Sequence, residues 1–199
     1  MRFRCAIFGF YDLPRFSFDL DFDLIKPLAS DDFDRVREVL SARGKILDAQ
    51  DKQYTTFFLF DYAKGHHKIK IELNKRIWKN NVYKNVWFMG LLLAVPDETT
   101  LFTNKLVALS NRKSPVARDL FDVWFFLSKG FSIRDELIKE RTGKNTNEYL
   151  EFLSAFIRKT YTRSNVLQGL GEALDDKQKI WVKDHLIEDA ISEIKKRMR

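Results

Sequence analysis

Length, composition and charge exclude several classes of protein for this chain of 199 residues, which is long enough for one sizeable core with an appended lobe and too short for several independent domains. Its single cysteine and three histidines can form neither a disulfide framework nor a zinc cluster, so any bound metal would have oxygen ligands. The net charge of +7 favours a polyanionic partner such as a nucleic acid or a nucleotide.

Hydropathy predicts no membrane segment. The longest apolar run, residues 86–95, has ten residues, about half of the roughly 20 that a helix needs to cross a bilayer. The first residues also lack the apolar core and small-residue cleavage site of a signal peptide. We therefore expect a cytoplasmic protein with no membrane partner.

The first predicted element is a strand that carries a row of acids. In residues 15–24, RFSFDLDFDL, polar and apolar side chains alternate, so Asp19, Asp21 and Asp23 share one face of the strand. Carboxylates this close repel one another unless water, a cation or a basic ligand lies among them. The row is therefore either a solvated face or a metal site.

The next segments predict a helix and two strands. Residues 30–45 have the pattern of a helix with Ser30 as N-cap and Gly44 at its end. Residues 53–62 are β-branched and aromatic, and residues 67–74, HKIKIELN, alternate in polarity, so both segments are predicted strands of a hairpin. The apolar run 86–95 is predicted as one buried strand that Pro96 closes.

From Asp97 onward the pattern changes to that of helices. The predicted helices are residues 97–112, 116–130, 132–141, 146–160 and 175–199. A front half rich in strands and a helical back half predict an α+β fold with a C-terminal helical lobe.

Glu72 is the residue that could complete a metal site. It projects from the polar face of a strand that could lie beside the strand of Asp19 and Asp21. Two acids on one strand with a third from a neighbour can hold Mg²⁺, and such a site supports phosphoryl or nucleotidyl transfer. The alternative is that Glu72 is an exposed residue paired with Lys68 or Lys70.

Charged residues also cluster on the first two predicted helices. Lys105 and Arg112 lie two turns apart on one face, and Asp119 and Asp122 are neighbours on the next helix. Such cations could bind a triphosphate. The alternative is a pair of surface helices joined by salt bridges of Arg118 and Asp122.

Three motifs, taken in order, resemble the nucleotidyltransferase toxins of the bacterial abortive-infection AbiEii family, with the related AbiGii toxins. The motifs are RFSFDLDF, IKIELN and PDETTLFTNKLVALSNRKSPVARDLFDVWFF, within residues 13–127. The resemblance implies a nucleotidyltransferase fold of the polymerase-beta type, with a mixed β-sheet and Mg²⁺ at the acidic strand. It places an N-terminally short core at residues 1–125 and the helical lobe at residues 126–199.

The family motif can be transferred residue by residue. It implies that Asp19 and Asp21 bind the metal, that Glu72 is the third acid, and that Lys105 contacts the triphosphate. The other positions matched by the motif or adjacent to it are, as catalytic or supporting acids, Asp119 and Asp122 and, for nucleotide binding, Arg15, Ser17, Lys70, Arg112 and Arg118.

The resemblance also implies an activity and a partner. Members use an NTP, often GTP, and act as toxins whose antitoxin is encoded alongside; some transfer nucleotides to the acceptor end of tRNA. The family has a G-G-S/T motif about ten residues before the acidic pair, where this chain has Phe3, Arg4 and Cys5. Two hypotheses stay open: a Mg²⁺-dependent nucleotidyltransferase toxin acting on RNA, and a catalytically impaired protein of the same fold that binds nucleic acid or an antitoxin.

Overall fold

The computed structural model of the chain describes residues 2–3, 13–14, 19–112, 114–171 and 174–198. The chain divides into two compact units, Met1–Pro96 and Asp97–Arg199. This division differs from the boundary expected after residue 125, which falls inside the helix Ala117–Ser128. The boundary between the two units lies at the end of the last strand, where the sequence pattern changes from strands to helices.

The first unit contains the strands and one helix. Its elements are β1 (Arg2–Phe3), β2 (Asp19–Asp23), α1 (Asp32–Ser41), β3 (Lys45–Asp51), β4 (Thr55–Asp61), β5 (Ile69–Asn74), β6 (Tyr83–Phe88) and β7 (Leu91–Pro96). The second unit is helical in its described part. Its elements are α2 (Glu98–Asn111), α3 (Ala117–Ser128), α4 (Asp135–Thr142), α5 (Thr146–Thr160) and α6 (Asp176–Lys195).

Five strands form a mixed sheet in the order β1-β2-β5-β4-β3. Strand β2 runs parallel to β5, while the other pairs are antiparallel, including the predicted β4–β5 hairpin. Alternation gives the sheet an apolar face, on which buried Phe58 and Leu73 pack with Phe33 and Val36 of α1. The opposite face carries the acids of β2, and the expectation that β2 and β5 are neighbours is confirmed.

Helix α1 begins and ends at other residues than predicted. Its N-cap is Asp31 rather than Ser30, and its last residue is Ser41. Gly44 has a different function from ending the helix. A Cβ at Gly44 would lie 2.5 Å from the carbonyl oxygen of Asp61, so the residue permits a close approach of the chain to β4.

The prediction of one buried strand over residues 86–95 is wrong. The run forms a separate two-stranded hairpin of β6 and β7. Met89 and Gly90 form its two-residue turn with φ angles of 48° and 79°, the positive values that a tight hairpin turn of type I′ requires. Trp87 and Leu92, which face each other in the register, are exposed. An apolar run predicts burial only where other elements cover both faces of its strand.

The second unit packs its helices around a core that includes Leu106, Leu120, Phe126 and Leu186. Trp124 of α3 lies against Trp181 of α6, with 4.2 Å between ring centroids. The five predicted helices are all present; α5 has the predicted bounds, and the ends of the other four are shifted by a few residues. Among the residues that the structure describes, no helix combines the length and the apolar character needed to cross a bilayer.

Candidate functional site

The polar face of the sheet is built by the parallel pairing of β2 with β5. The register places Asp19 opposite Lys70, Asp21 opposite Glu72 and Asp23 opposite Asn74. Because these positions alternate with apolar ones, all six side chains lie on the same face. All except Asp23 are partly accessible to solvent. Two segments that are about fifty residues apart in sequence therefore contribute to one polar surface.

Asp23 differs from the other two acids of β2. It is buried, and its two carboxylate oxygens accept hydrogen bonds of 2.8 Å from the Asn74 amide and from the Tyr83 hydroxyl. A carboxylate with both oxygens bonded in this way connects β5 and β6 to β2. The acidic row predicted from the sequence thus divides into a structural residue, Asp23, and two candidate site residues, Asp19 and Asp21.

Glu72 is engaged by a cation of its own strand. The Lys70 ammonium lies 2.7 Å from Glu72 Oε1 and 5.9 Å from the centre of the Phe57 ring. This is the pairing that the sequence analysis gave as the alternative for Glu72. The pair is partly exposed, so its contribution to stability is small, on the order of 1 kcal/mol or less.

The polar face suits Mg²⁺ in the type of its donors, because carboxylate oxygens are the ligands that this ion prefers. The register also brings Asp21 beside Glu72. However, no group of three or more His, Cys, Asp or Glu side chains is placed to hold a metal ion within the described ranges. A metal ion held by Asp19, Asp21 and Glu72 would compete with Lys70 for the Glu72 carboxylate.

The second unit contains a cluster of two cations and two buried acids. The Lys105 ammonium lies 3.1 Å from Asp122 Oδ2 and 3.8 Å from Asp119 Oδ1, and the Arg112 guanidinium pairs with Asp119. Both carboxylates are buried, whereas the Lys105 side chain is 22% exposed and Arg112 is more exposed still. The acids are therefore counterions beneath the cations.

The burial of Asp122 and Arg118 bears on the alternative of two surface helices. Asp122 is buried and its Oδ2 lies 3.1 Å from the Lys105 ammonium, so it is not the surface residue that the alternative of two surface helices expected. Arg118 is half-buried in the first turn of α3. Arg15 and Ser17 lie outside the described residues, as do Arg4 and Cys5, which stand near the position expected for the family's glycine motif.

No local pattern pointed to two tyrosines, Tyr161 at the charged cluster of the second unit and Tyr83 at Asp23 of the first. The Tyr161 hydroxyl donates to the carbonyl of Val116, one residue before α3. Burial raises the pKa of Tyr161, and the Asp119 carboxylate raises it further, while Arg112 opposes the shift. Tyr161 follows α5, so only the fold brings it to Asp119. Tyr83 could not be predicted from a local pattern either, because its partner Asp23 is sixty residues away in sequence.

Comparison with known proteins identifies relatives of the chain. The family model of the nucleotidyl transferase AbiEii toxin, a type IV toxin–antitoxin system, matches residues 6–185. A solved structure of a candidate nucleotidyltransferase from H. pylori has 21% identity and a TM-score of 0.57, covering 98% of this chain and 88% of its own. JHP933 from Helicobacter pylori has 19% identity and a TM-score of 0.54, covering 98% and 85%. Among curated proteins, none matches the chain. At these identities the structural likeness shows the fold alone.

Proposed function

Because the chain belongs to the nucleotidyl transferase AbiEii toxin family of type IV toxin–antitoxin systems, we propose that it is a Mg²⁺-dependent toxin that transfers a nucleotide from an NTP to RNA. The family implies an antitoxin partner. The observation that carries the proposal is the parallel register of β2 and β5. It sets Asp21 beside Glu72, with Asp19 two residues along, on a face that solvent reaches.

In this proposal Asp19, Asp21 and Glu72 would hold Mg²⁺. When bound, the ion would neutralise the charge that develops on the phosphate oxygens. A β2 carboxylate accepts the proton of the attacking RNA hydroxyl. The hydroxyl oxygen forms a bond to the α-phosphorus, the bond from that phosphorus to the bridging oxygen breaks, and pyrophosphate leaves. Lys70, released from Glu72, is then a cation available to a phosphate.

Lys105 and Arg112 are the candidate triphosphate contacts of the second unit. A guanidinium offers two parallel donors to phosphate and an ammonium offers a compact charge. The buried carboxylates of Asp119 and Asp122 keep both cations in place. We therefore assign Asp119 and Asp122 to positioning these cations rather than to accepting a proton from the substrate.

A second candidate function rests on the ion pair of Lys70 with Glu72. A protein that has lost turnover does not need Glu72 as a third metal ligand. This fits the ion pair in which Glu72 Oε1 lies 2.7 Å from Lys70 Nζ. Phe3, Arg4 and Cys5 stand near the position where the resemblance leads us to expect the family's G-G-S/T motif, and they lack its glycines. This candidate is a catalytically impaired protein that binds nucleic acid or its antitoxin.

The two candidates differ in one measurement. The purified chain is incubated with Mg²⁺, total tRNA and each NTP labelled at the α-phosphate, beside an Asp19→Asn, Asp21→Asn variant. The matched control is Asp34→Asn, Asp48→Asn, which removes two exposed acids of the same unit. We expect the wild type and the control to label RNA and the Asp19, Asp21 variant to lose at least 100-fold. Equal labelling by wild type and variant, or none by either, would remove the catalytic proposal.

A further inference from the structure

The hairpin of β6 and β7 has an exposed apolar tip. The tip consists of Trp87, Phe88, Met89, Leu91 and Leu92, all exposed; Trp87, Met89 and Leu91 are exposed by 72%, 88% and 63%. Trp87 and Leu92 pair on one face of the hairpin, and Phe88 and Leu91 pair on the other. Single exposed apolar residues are ordinary, but five within six positions form a patch of the kind that marks an interaction site.

The charge of this segment has one sign. Residues 75–96 contain four bases and no acid, although acids make up 28 of the 199 residues of the chain. The bases are Lys75, Arg76, Lys79 and Lys84. Lys84 and Asn85 are exposed on β6 between the tip and the base of the hairpin. Lys75 pairs with Asp51 and Arg76 lies over the Tyr54 ring, so Lys84 is the base that the hairpin itself presents. An aromatic tip on a strand with an exposed lysine complements a polyanion that has flat apolar groups.

The base of the hairpin is attached to the acidic strand. Tyr83, the first residue of β6, donates its hydroxyl hydrogen to Asp23 over 2.8 Å. Asp23 is two residues from Asp21 on the same face of β2. A ligand held along β6 therefore starts beside the polar face of the sheet.

We propose that the β6–β7 hairpin docks a single-stranded segment of RNA. Bases stack on the Trp87 ring and the Asn85 amide on the same face bonds to base edges, while Lys84, on the opposite face of β6, contacts the phosphate backbone along the strand. The inference rests on the proposed function, because it makes the docked strand the acceptor of the nucleotide. It goes further by naming the surface that binds the acceptor.

Two other occupants fit less well. In a symmetric contact between two copies of the hairpin, residues 83–96 of each copy would bring Lys84 and no acid, so like charges would face one another. Insertion into a lipid surface would strip water from the exposed Asn85 amide, which lies beside Trp87. A nucleic acid satisfies the rings, the amide and the cations together.

The test measures RNA binding without NTP, so that catalysis is not needed. Fluorescence anisotropy of a labelled 12-nucleotide single-stranded RNA is recorded for the wild type and for Trp87→Ala, Phe88→Ala. The matched control is Phe152→Ala, Ile180→Ala, which removes two exposed apolar side chains of the second unit. We expect the hairpin variant to bind at least tenfold more weakly and the control to bind within twofold of the wild type. We expect Lys84→Gln to reduce the magnitude of the negative slope of log affinity against log salt concentration by about one, because one phosphate contact is lost.

Folding is checked by circular dichroism and by the thermal midpoint, which these exposed positions leave unchanged. Equal RNA affinity of the wild type and the hairpin variant overturns the proposal. The proposal is also overturned if Trp87→Ala, Phe88→Ala abolishes dimer formation, or binding to vesicles of phosphatidylglycerol, and leaves the RNA affinity unchanged. If the protein transfers label to RNA and the hairpin variant has the same KM for RNA as the wild type, the docking proposal is wrong and the proposed nucleotidyltransferase activity stands. If RNA binding depends on the hairpin but the protein transfers no label, the proposed nucleotidyltransferase activity is wrong and the docking proposal stands.

Discussion

Asp19, Asp21 and Asp23 share one face of β2, and their surroundings give them different roles. Asp23 is buried with both oxygens bonded by side chains of β5 and β6, whereas Asp19 and Asp21 are partly exposed. A buried carboxylate needs such bonds because an unsatisfied one would cost several kcal/mol. An exposed carboxylate has water available, so it can exchange water for a cation. Accessibility, which the strand pattern does not give, thus separates the structural acid from the candidate site acids.

Lys70 provides a test of the third acid. If Glu72 binds Mg²⁺ only after leaving Lys70, removal of the ammonium favours the metal. We expect Lys70→Met to bind Mn²⁺, used as a spectroscopic substitute for Mg²⁺, about three- to tenfold more tightly than the wild type. Electron paramagnetic resonance measures the affinity without any turnover.

The control for this change is Lys68→Met, which removes an ammonium that pairs with Asp61 over 2.7 Å. It removes the same charge from the neighbouring stretch of chain without touching Glu72. An identical effect of both substitutions, or no effect of either, would mean that Lys70 does not compete with a metal for Glu72.

Among the helices and strands, two elements show how far a local pattern predicts tertiary position. Strand β5 was predicted to lie beside β2 with Glu72 on its polar face, and the pairing is confirmed; alternation with a fixed period leaves only one face for burial. The run 86–95 was predicted as a buried strand and is an exposed hairpin. Its composition is that of a core strand, and the dipeptide Met89-Gly90 is a weaker turn signal than Asn-Gly. Local composition predicted the extended conformation of this run but not its burial.

Helix α5 is attached to α2 through a tyrosine, and this contact predicts a pH dependence. The Tyr149 hydroxyl donates to the Leu106 carbonyl and lies 2.9 Å from Ser110 Oγ. Burial raises the pKa of Tyr149 to about 12, with Ser110 acting in the opposite direction. The folded state therefore holds this proton more tightly than the unfolded state, whose tyrosine has a pKa of about 10.

The stabilisation is fully present below pH 10 and is lost as the pH rises from about 10 to about 12. We expect the free energy of unfolding, measured with urea, to fall by about 2 kcal/mol more over this range in the wild type than in Tyr149→Phe. Tyr62→Phe, which changes an exposed tyrosine, should keep the full alkaline loss. A wild-type curve parallel to that of Tyr149→Phe would contradict the assignment.

For the chain as a whole, the division into units changes what a fragment should retain. The boundary between the compact units falls between Pro96 and Asp97, whereas the resemblance to the family placed it after residue 125. A cut after residue 125 removes Leu120, Phe121 and Val123, three buried residues of α3. These side chains belong to the core of the second unit, so the shorter fragment loses part of its own interior.

We therefore expect residues 97–199, expressed alone, to show a helical circular dichroism spectrum and a cooperative thermal transition. Residues 126–199 should show neither, because losing several core side chains costs about 2–5 kcal/mol each, which exceeds the stability of an ordinary domain when summed. Limited proteolysis checks the same point through the persistence of the fragment. Cooperative unfolding of the shorter fragment would favour the boundary at residue 125.

The order of the motifs was enough to predict the family and the α+β fold, and the alternation within residues 19–23 and 69–74 was enough to predict two strands that present Asp19, Asp21 and Glu72. These features are local, since a side chain's face on a strand follows from its own position. The fold alone decided that Tyr83 and Asn74 would satisfy Asp23, that Tyr161 would approach Asp119, and that the apolar tip would stay exposed. Each of these depends on residues distant in sequence, and burial or pairing is a property of both partners.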